Sequence, residues 1–200
     1  RLIMFKKMFT RFSKVVAAGL VLSFMFLVPG AEASHWGLSG GLQTHDPTIV
    51  RESGNTWWSA STGTGIGMKY STNGGKTWTD GLPIFSRPLS WWKKYAPNMT
   101  TNDVWAPDLE YYRGRYYCYY SVSEFGKNNS AIGLVSCSSI SKGDWRDDGV
   151  VLYSRYGSSK FNAIDPNLVV DAKGKPWLVY GWDPCCSSES VHYETNWKFH

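Results

Sequence analysis

From residue 34 onward, apolar and aromatic side chains fall in short runs bounded by Gly, Asn, Asp and Ser, and no amphipathic helical stretch occurs. Three segments share one pattern. The first runs His45-Asp46-Pro47-Thr48-Ile49-Val50, then Gly54, then Trp57-Trp58-Ser59-Ala60. The second runs Ala106-Pro107-Asp108-Leu109-Glu110-Tyr111-Tyr112, then Gly114, then Tyr116-Tyr117-Cys118-Tyr119-Tyr120. The third runs Ile164-Asp165-Pro166-Asn167-Leu168-Val169-Val170, then Gly174, then Trp177-Leu178-Val179-Tyr180. Each sets an Asp beside a Pro, follows it with a β-rich run, turns at a Gly and returns. That predicts a hairpin with an Asp at its entrance. The Asp residues at 46, 108 and 165 are 62 and 57 positions apart.

In the first two units a further hairpin follows. Ile66-Gly67 leads to Trp78-Thr79-Asp80-Gly81, and Ile132-Gly133 leads to Trp145-Arg146-Asp147-Asp148-Gly149. Four strands per unit, repeated at this interval, predict β-propeller blades. The chain is expected to be all-β and to hold about two and a half blades within residues 34–181. Ser71-Thr72-Asn73-Gly74-Gly75-Lys76-Thr77-Trp78 is similar to the Asp-box turn of propellers and reads as structural, with Trp78 packed beneath a tight hairpin. Tyr116, Tyr117, Tyr119 and Tyr120 alternate along one strand, so about half should face a core. Trp57, Trp58, Trp91 and Trp92 read as packing residues, and Cys118 and Cys137 as small core residues.

Composition sharpens this picture. With 42% hydrophobic and 18% charged residues over 200 positions, disordered, collagen-like and coiled-coil chains are excluded. Eleven Trp and twelve Tyr suit a β-rich core or a sugar-stacking groove. The net charge of +5 sits mainly in the first 33 residues, where five basic side chains oppose Glu32 alone. The remainder is nearly balanced, so no nucleic-acid partner is expected. Basic positions from Lys6 to Lys14, the apolar run Val15–Val28, a Pro29-Gly30 break and Ala31-Glu32-Ala33 have the form of a secretory signal peptide over residues 1–33. The run is shorter than the ~20 residues of a membrane span, so a secreted protein with no membrane attachment after cleavage is expected. Met4 or Met8 reads as the start, with Arg1-Leu2-Ile3 ahead of it. Cys185 and Cys186 complete the four cysteines. No Cys-x-x-Cys pair is present, and no metal ligand set is expected.

In a propeller, the first strand of each blade lines the central axis. Asp46, Asp108 and Asp165 are therefore expected at one end of a common funnel. Converging carboxylates suit general acid–base chemistry, and glycoside hydrolysis commonly uses two. The alternative is that Asp-Pro and Pro-Asp pairs are only turn chemistry at strand starts.

Several motifs carry a family resemblance. His45-Asp46-Pro47, Val104-Trp105-Ala106-Pro107-Asp108, Tyr119-Tyr120-Ser121-Val122-Ser123-Glu124-Phe125-Gly126, Asn129-Ser130-Ala131-Ile132-Gly133-Leu134 and Asn162-Ala163-Ile164-Asp165-Pro166 together resemble the endo-1,5-α-L-arabinanases of glycoside hydrolase family 43. The likeness runs from about His45 to Gly181 and implies a five-bladed β-propeller. It implies that Asp46 is the base that activates water in an inverting mechanism, and that Asp165 tunes and orients the acid. Trp105 and Phe125 would contact arabinose rings. Gly126 and Asn162-Ala163-Ile164 would form the backbone wall of the substrate cleft. Asp108 would be structural support, and His45 a neighbour of the base. Arabinan and arabino-oligosaccharides would be the partners.

One departure is large. The family's general acid is a Glu in a Glu-Ala-Pro motif on the fourth blade, and the chain has no such motif. The family's calcium ion, held through a His of the last blade, is implied for a longer protein, with no cofactor in this chain. Residues 182–200 do not follow the pattern: Trp182-Asp183-Pro184 stands where Ser-Phe-Trp is expected, as after a truncation or frame change. The chain alone is expected to be nearly inactive. Alternatives are an exo-acting arabinofuranosidase or xylosidase, a fructan-active hydrolase of the same architecture, or a non-catalytic sugar-binding fragment.

Overall fold

The computed structural model describes residues 37–181 and the backbone of the strand His192–Glu194. The expected leader at 1–33, and the tail 182–200 apart from that strand, lie outside the described residues.

The first blade is built from β2 (Thr48–Ser53), β3 (Thr56–Ser61), β5 (Gly67–Ser71) and β6 (Thr77–Asp80), with a short β1 (Ser39–Gly40) parallel to β6 at the outer edge. The second holds β7 (Asp103–Tyr112), β8 (Arg115–Ser123), β9 (Ser130–Cys137) and β10 (Arg146–Ser154) in meander order. β4 (Gly63–Thr64) follows β3 in the chain, yet pairs with β7 of the second blade. The third blade begins with β11 (Ile164–Val170), β12 (Pro176–Gly181) and β13 (His192–Glu194). Among the described residues the helix α1 (Trp92–Tyr95) is a single turn. The hairpins follow from local chemistry. Arg113 and Gly114 join β7 to β8 with φ of 47° and 87°, the positive pair that a type I′ turn requires. The turn into β6 is held by Ser71 Oγ, which accepts from Gly75 N (3.0 Å), and by Trp78 Nε1, which donates to Gly75 O (2.9 Å).

β8 lies at the centre of the packing. Tyr116, Cys118, Tyr120 and Val122 face a core shared with the first blade, including Ala60, Ile66, Phe85 and Trp92. Tyr117 and Tyr119 face a second core with Ala163, Leu168, Leu178 and Tyr180 of the third blade. All four tyrosines are therefore buried, which corrects the expectation that about half would be. That expectation assumed one buried face, whereas a middle blade is covered on both. Each fully buried aliphatic side chain here, such as Leu109 or Val122, contributes about 1.5–3 kcal/mol over exposure. Cys118 and Cys137 are buried free thiols in β8 and β9.

The repeat register also needs a correction. Asp46, Ala106 and Asp165 each precede a Pro and each take a left-handed φ (49°, 39° and 53°). Strand pairing is interrupted at this point in both later blades, between Trp105 and Asp108 and between Ile164 and Asn167. The true equivalents are thus 46, 106 and 165. Asp108 lies two residues further on, in register with Thr48 and Asn167. Its side chain leaves the funnel for the seam between blades: Leu168 N donates to Asp108 Oδ2 (2.6 Å) and Asn167 Nδ2 to Oδ1 (3.2 Å). Thr48 Oγ1 makes the matching contact one blade earlier, accepting from Leu109 N at 3.2 Å.

Candidate active site

The kinked entrances of β2, β7 and β11 carry Asp46, Ala106 and Asp165 at equivalent positions of successive blades. Asp46 is exposed, with His45 Nε2 3.6 Å from its Oδ1. Thr62 Oγ1 donates to Asp46 Oδ2 at 2.7 Å and accepts from Ala106 N at 2.7 Å. Asp46 is thereby one hydroxyl away from the turn that follows Trp105. On the other side, Asp165 N donates to Ser121 Oγ at 3.0 Å, and Ser121 is the cross-strand partner of Trp105. Asp46 and the backbone of Asp165 are thus each linked to the segment of the half-buried Trp105 through one hydroxyl, Thr62 of the first blade and Ser121 of the second. Asp108 belongs to the joint between the blades. It is 5% exposed, and burial pushes its carboxyl above the usual range despite the donors from Leu168, Asn167 and Thr48.

Phe125 stands at the tip of the β8–β9 hairpin and is 96% exposed. Gly126 follows it at φ 77°, a conformation open to glycine but costly for a side chain. The hairpin base is tied to the Asn162-Ala163-Ile164 wall. Ser123 Oγ and Ser130 Oγ lie 2.7 Å apart, and Ser130 Oγ donates to Asn162 Oδ1 at 2.5 Å. Ala163 N donates to Ser154 Oγ (3.0 Å), which in turn donates to Asn128 O (2.8 Å). Asn162 and Ala163 are buried, and Ile164 is half-buried at the start of β11. The hairpin that carries Phe125 and the segment 162–164 are therefore joined by hydrogen bonds.

Three residues of this arrangement carried no role in the sequence reading. Glu124, next to Phe125, is buried. Burial opposes its charge, but Asn98 N (2.7 Å), Asn98 Nδ2 (3.2 Å) and Asn129 Nδ2 (3.1 Å) hold the carboxyl below its usual value. Its acceptor oxygens fasten the hairpin to the loop after α1. Thr62 and Ser121 are the other two. Their signal was present in the repeat, since both stand opposite the entrance turn, on or just past the second strand of a blade, but it needed the corrected register to be seen. Among the described residues, no group of three or more His, Cys, Asp or Glu side chains could hold a metal ion.

The sequence model for Glycosyl hydrolases family 43 matches residues 41–194. The chain is 47% identical over 184 residues to the extracellular endo-alpha-(1->5)-L-arabinanase 1 of Bacillus subtilis, covering 88% of this chain and 54% of that protein. It is 37% identical over 144 residues to the extracellular exo-alpha-(1->5)-L-arabinofuranosidase ArbA of Cellvibrio japonicus, covering 70% and 41%. Among solved structures, the GH43 endo-arabinanase from Bacillus licheniformis aligns with TM-score 0.69 and 51% identity, over 74% of this chain and 50% of that one. The chain thus spans about half the length of the relatives it matches. Its all-β blades are those of the five-bladed propellers of these arabinanases. By the extent of that match, the chain belongs to glycosyl hydrolases family 43.

Proposed function

We propose that this chain carries the base-bearing half of an exported, inverting endo-1,5-α-L-arabinanase. In this reading Asp46 takes a proton from water, which attacks the anomeric carbon of an arabinofuranoside. Asp165 orients and tunes a general acid that a later blade supplies. Trp105 stacks beneath a sugar ring, Phe125 overhangs the cleft, and the Asn162–Ile164 wall with Gly126 bounds it. Residues 1–33 act as the export leader, in keeping with relatives named as extracellular.

The observation that carries this reading is an internal control. Blade two makes the same left-handed Xaa-Pro turn with Ala106. The turn therefore does not require an acid, and turn chemistry does not account for Asp46 and Asp165. Two carboxylates on entrance turns that a third blade makes with alanine suit two-acid glycoside chemistry. The relative ArbA supports a second, exo-acting reading on the same residues.

The test uses an extended protein, in which this chain is continued to the length of its relatives. It should release arabino-oligosaccharides early from linear arabinan, with inverted anomeric configuration by NMR. Asp46→Asn should lower the rate by ~10²–10⁴-fold or more, as loss of general base catalysis does. The 200-residue chain alone should be nearly inactive. Wild-type rates in Asp46→Asn, or retained configuration, would overturn the mechanism. Arabinose as the sole early product would replace the endo reading by the exo one.

A further inference from the structure

We infer that Thr62 is a positioning residue for the base: it fixes the Asp46 carboxylate and couples it to the Trp105 turn of the next blade. The inference rests on the role of Asp46 proposed above. Thr62 lies at the point where the chain leaves β3 of blade one for β4, which pairs with β7 of blade two. It is held at both levels of its structure. Its backbone N–H donates to His45 O at 2.9 Å, next to the base. Its hydroxyl sits 2.7 Å from Ala106 N and 2.7 Å from Asp46 Oδ2.

The proton count fixes the direction of these bonds. A backbone N–H can only donate, so the Thr62 oxygen must accept from Ala106. Its single hydrogen is then left for the carboxylate, which can only accept when ionised. A hydroxyl held this way presents one oriented donor to one oxygen of Asp46. That restricts rotation of a side chain that is 43% exposed, and leaves Oδ1 as the oxygen nearer His45, 3.6 Å from its Nε2.

The repeat shows that the position is specialised. Ser121 occupies the equivalent place in blade two and accepts from Asp165 N. Gly181 occupies it in blade three, where an added Cβ would lie 3.2 Å from Asp165 Oδ2. This one register position therefore adjoins both acids, and at Thr62 the hydroxyl donates to a carboxylate.

The test compares Thr62→Val, Thr62→Ala and Thr62→Ser in the extended protein. Misplacement of a reacting group costs up to ~10²-fold in rate. Thr62→Val and Thr62→Ala should therefore lower kcat on arabinan on the order of 10–100-fold, with KM changed less than about threefold. Thr62→Ser should recover most of the lost kcat. Thr62→Val retaining wild-type kcat would overturn the inference. So would losses that track the fraction of folded protein by circular dichroism, or that Thr62→Ser does not recover. An extended wild type inert on arabinan would overturn the proposed function and this inference with it. An active wild type with an unimpaired Thr62→Val would overturn this inference alone.

Discussion

Asp108 offers the sharpest test of how the blades are joined. Its carboxylate is buried at the meeting point of three of them: Thr48 from the first, its own β7, and Asn167 with Leu168 from the third. Asp108→Ala leaves the Leu168 N–H and the Asn167 amide without this acceptor. Charge-assisted hydrogen bonds contribute about 1.5–3 kcal/mol each, so the gross loss of the Leu168 and Asn167 bonds alone is about 3–6 kcal/mol. Removing a buried charge returns part of that, because desolvation already disfavours the ionised form. The net cost should be about 2–4 kcal/mol, read as a urea midpoint shift in the extended protein. Asp108→Asn keeps an acceptor for Leu168 N and should cost less than about 1 kcal/mol. The two variants also separate by pH. A carboxyl raised in the fold binds its proton more tightly there than in the unfolded chain. Its contribution to stability is therefore present below the ordinary value of 3.8 and lost as pH rises through the raised one. Asp108→Asn lacks that loss, so it should gain on wild type as pH rises across this window. Unchanged stability in Asp108→Ala, or a pH trend of opposite sign in Asp108→Asn, would refute the role of Asp108 as a joint. Loss of activity in a fully stable Asp108→Ala would place it in the chemistry instead.

Other outcomes follow from the same contacts. Glu52 accepts from Trp58 Nε1 (2.8 Å), Ser139 Oγ (2.7 Å), Ser141 N (3.0 Å) and the Ser141 hydroxyl. Burial opposes its charge, but these donors leave its carboxyl below the usual 4.5, so its contribution is present above that value and lost as pH falls through the lowered one. Acid denaturation should accordingly be less pH-dependent in Glu52→Gln than in wild type across that range. Gly133→Ala would place a Cβ 2.5 Å from Tyr120 Cζ and 2.8 Å from Trp91, so it should cost roughly 1–3 kcal/mol or more by thermal unfolding. Gly181→Ala crowds Asp165 Oδ2 and the backbone of Ile164, and should lower kcat with a small change in melting temperature. Phe125→Ala removes an exposed ring without touching a core, so KM for arabinan should rise while stability holds within about 0.5 kcal/mol.

The blades were legible because their signals are local. Runs of β-formers, turn glycines and the Ile-Gly and Trp-Asp echoes of the repeat all lie within a few residues of one another. What escaped was the register and the depth of burial. Asp108 looked equivalent to Asp46 because both adjoin a Pro, but one precedes it and the other follows. That shift of two keeps the strand face while moving the side chain from the kink into the seam. The burial of Tyr117 and Tyr119 was missed for another reason: a strand shows its own alternation, but not whether a third blade covers its second face. Thr62 was hidden because a hydroxyl at a strand end is common, and its meaning comes from Ala106, forty-four residues away.

The contrast between Ala106 and the two acids leads to a last expectation. Left-handed φ at a non-glycine residue costs of order 1–3 kcal/mol, and the entrance turn of each blade bears it, at Asp46, Ala106 and Asp165. In blade two it does so with Ala106, whose methyl group supplies no polar contact. The turn is therefore sustained by the backbone and the packing around it, including the hydroxyl of Thr62 that receives the Ala106 N–H. An alanine at 46 or 165 should be held in the same way. Asp46→Ala forfeits one half-exposed hydrogen bond to Thr62, and should cost about 1 kcal/mol or less in urea unfolding of the extended protein. Asp165→Ala keeps the backbone bond to Ser121 and the left-handed turn that Ala106 shows an alanine can make. Both should nevertheless abolish arabinan hydrolysis. Stability and activity would then separate at these two positions, as they do when acids are carried by a scaffold that does not depend on them. If either alanine unfolded the blade instead, the acid would be a requirement of the turn, and its place there would lose its functional meaning.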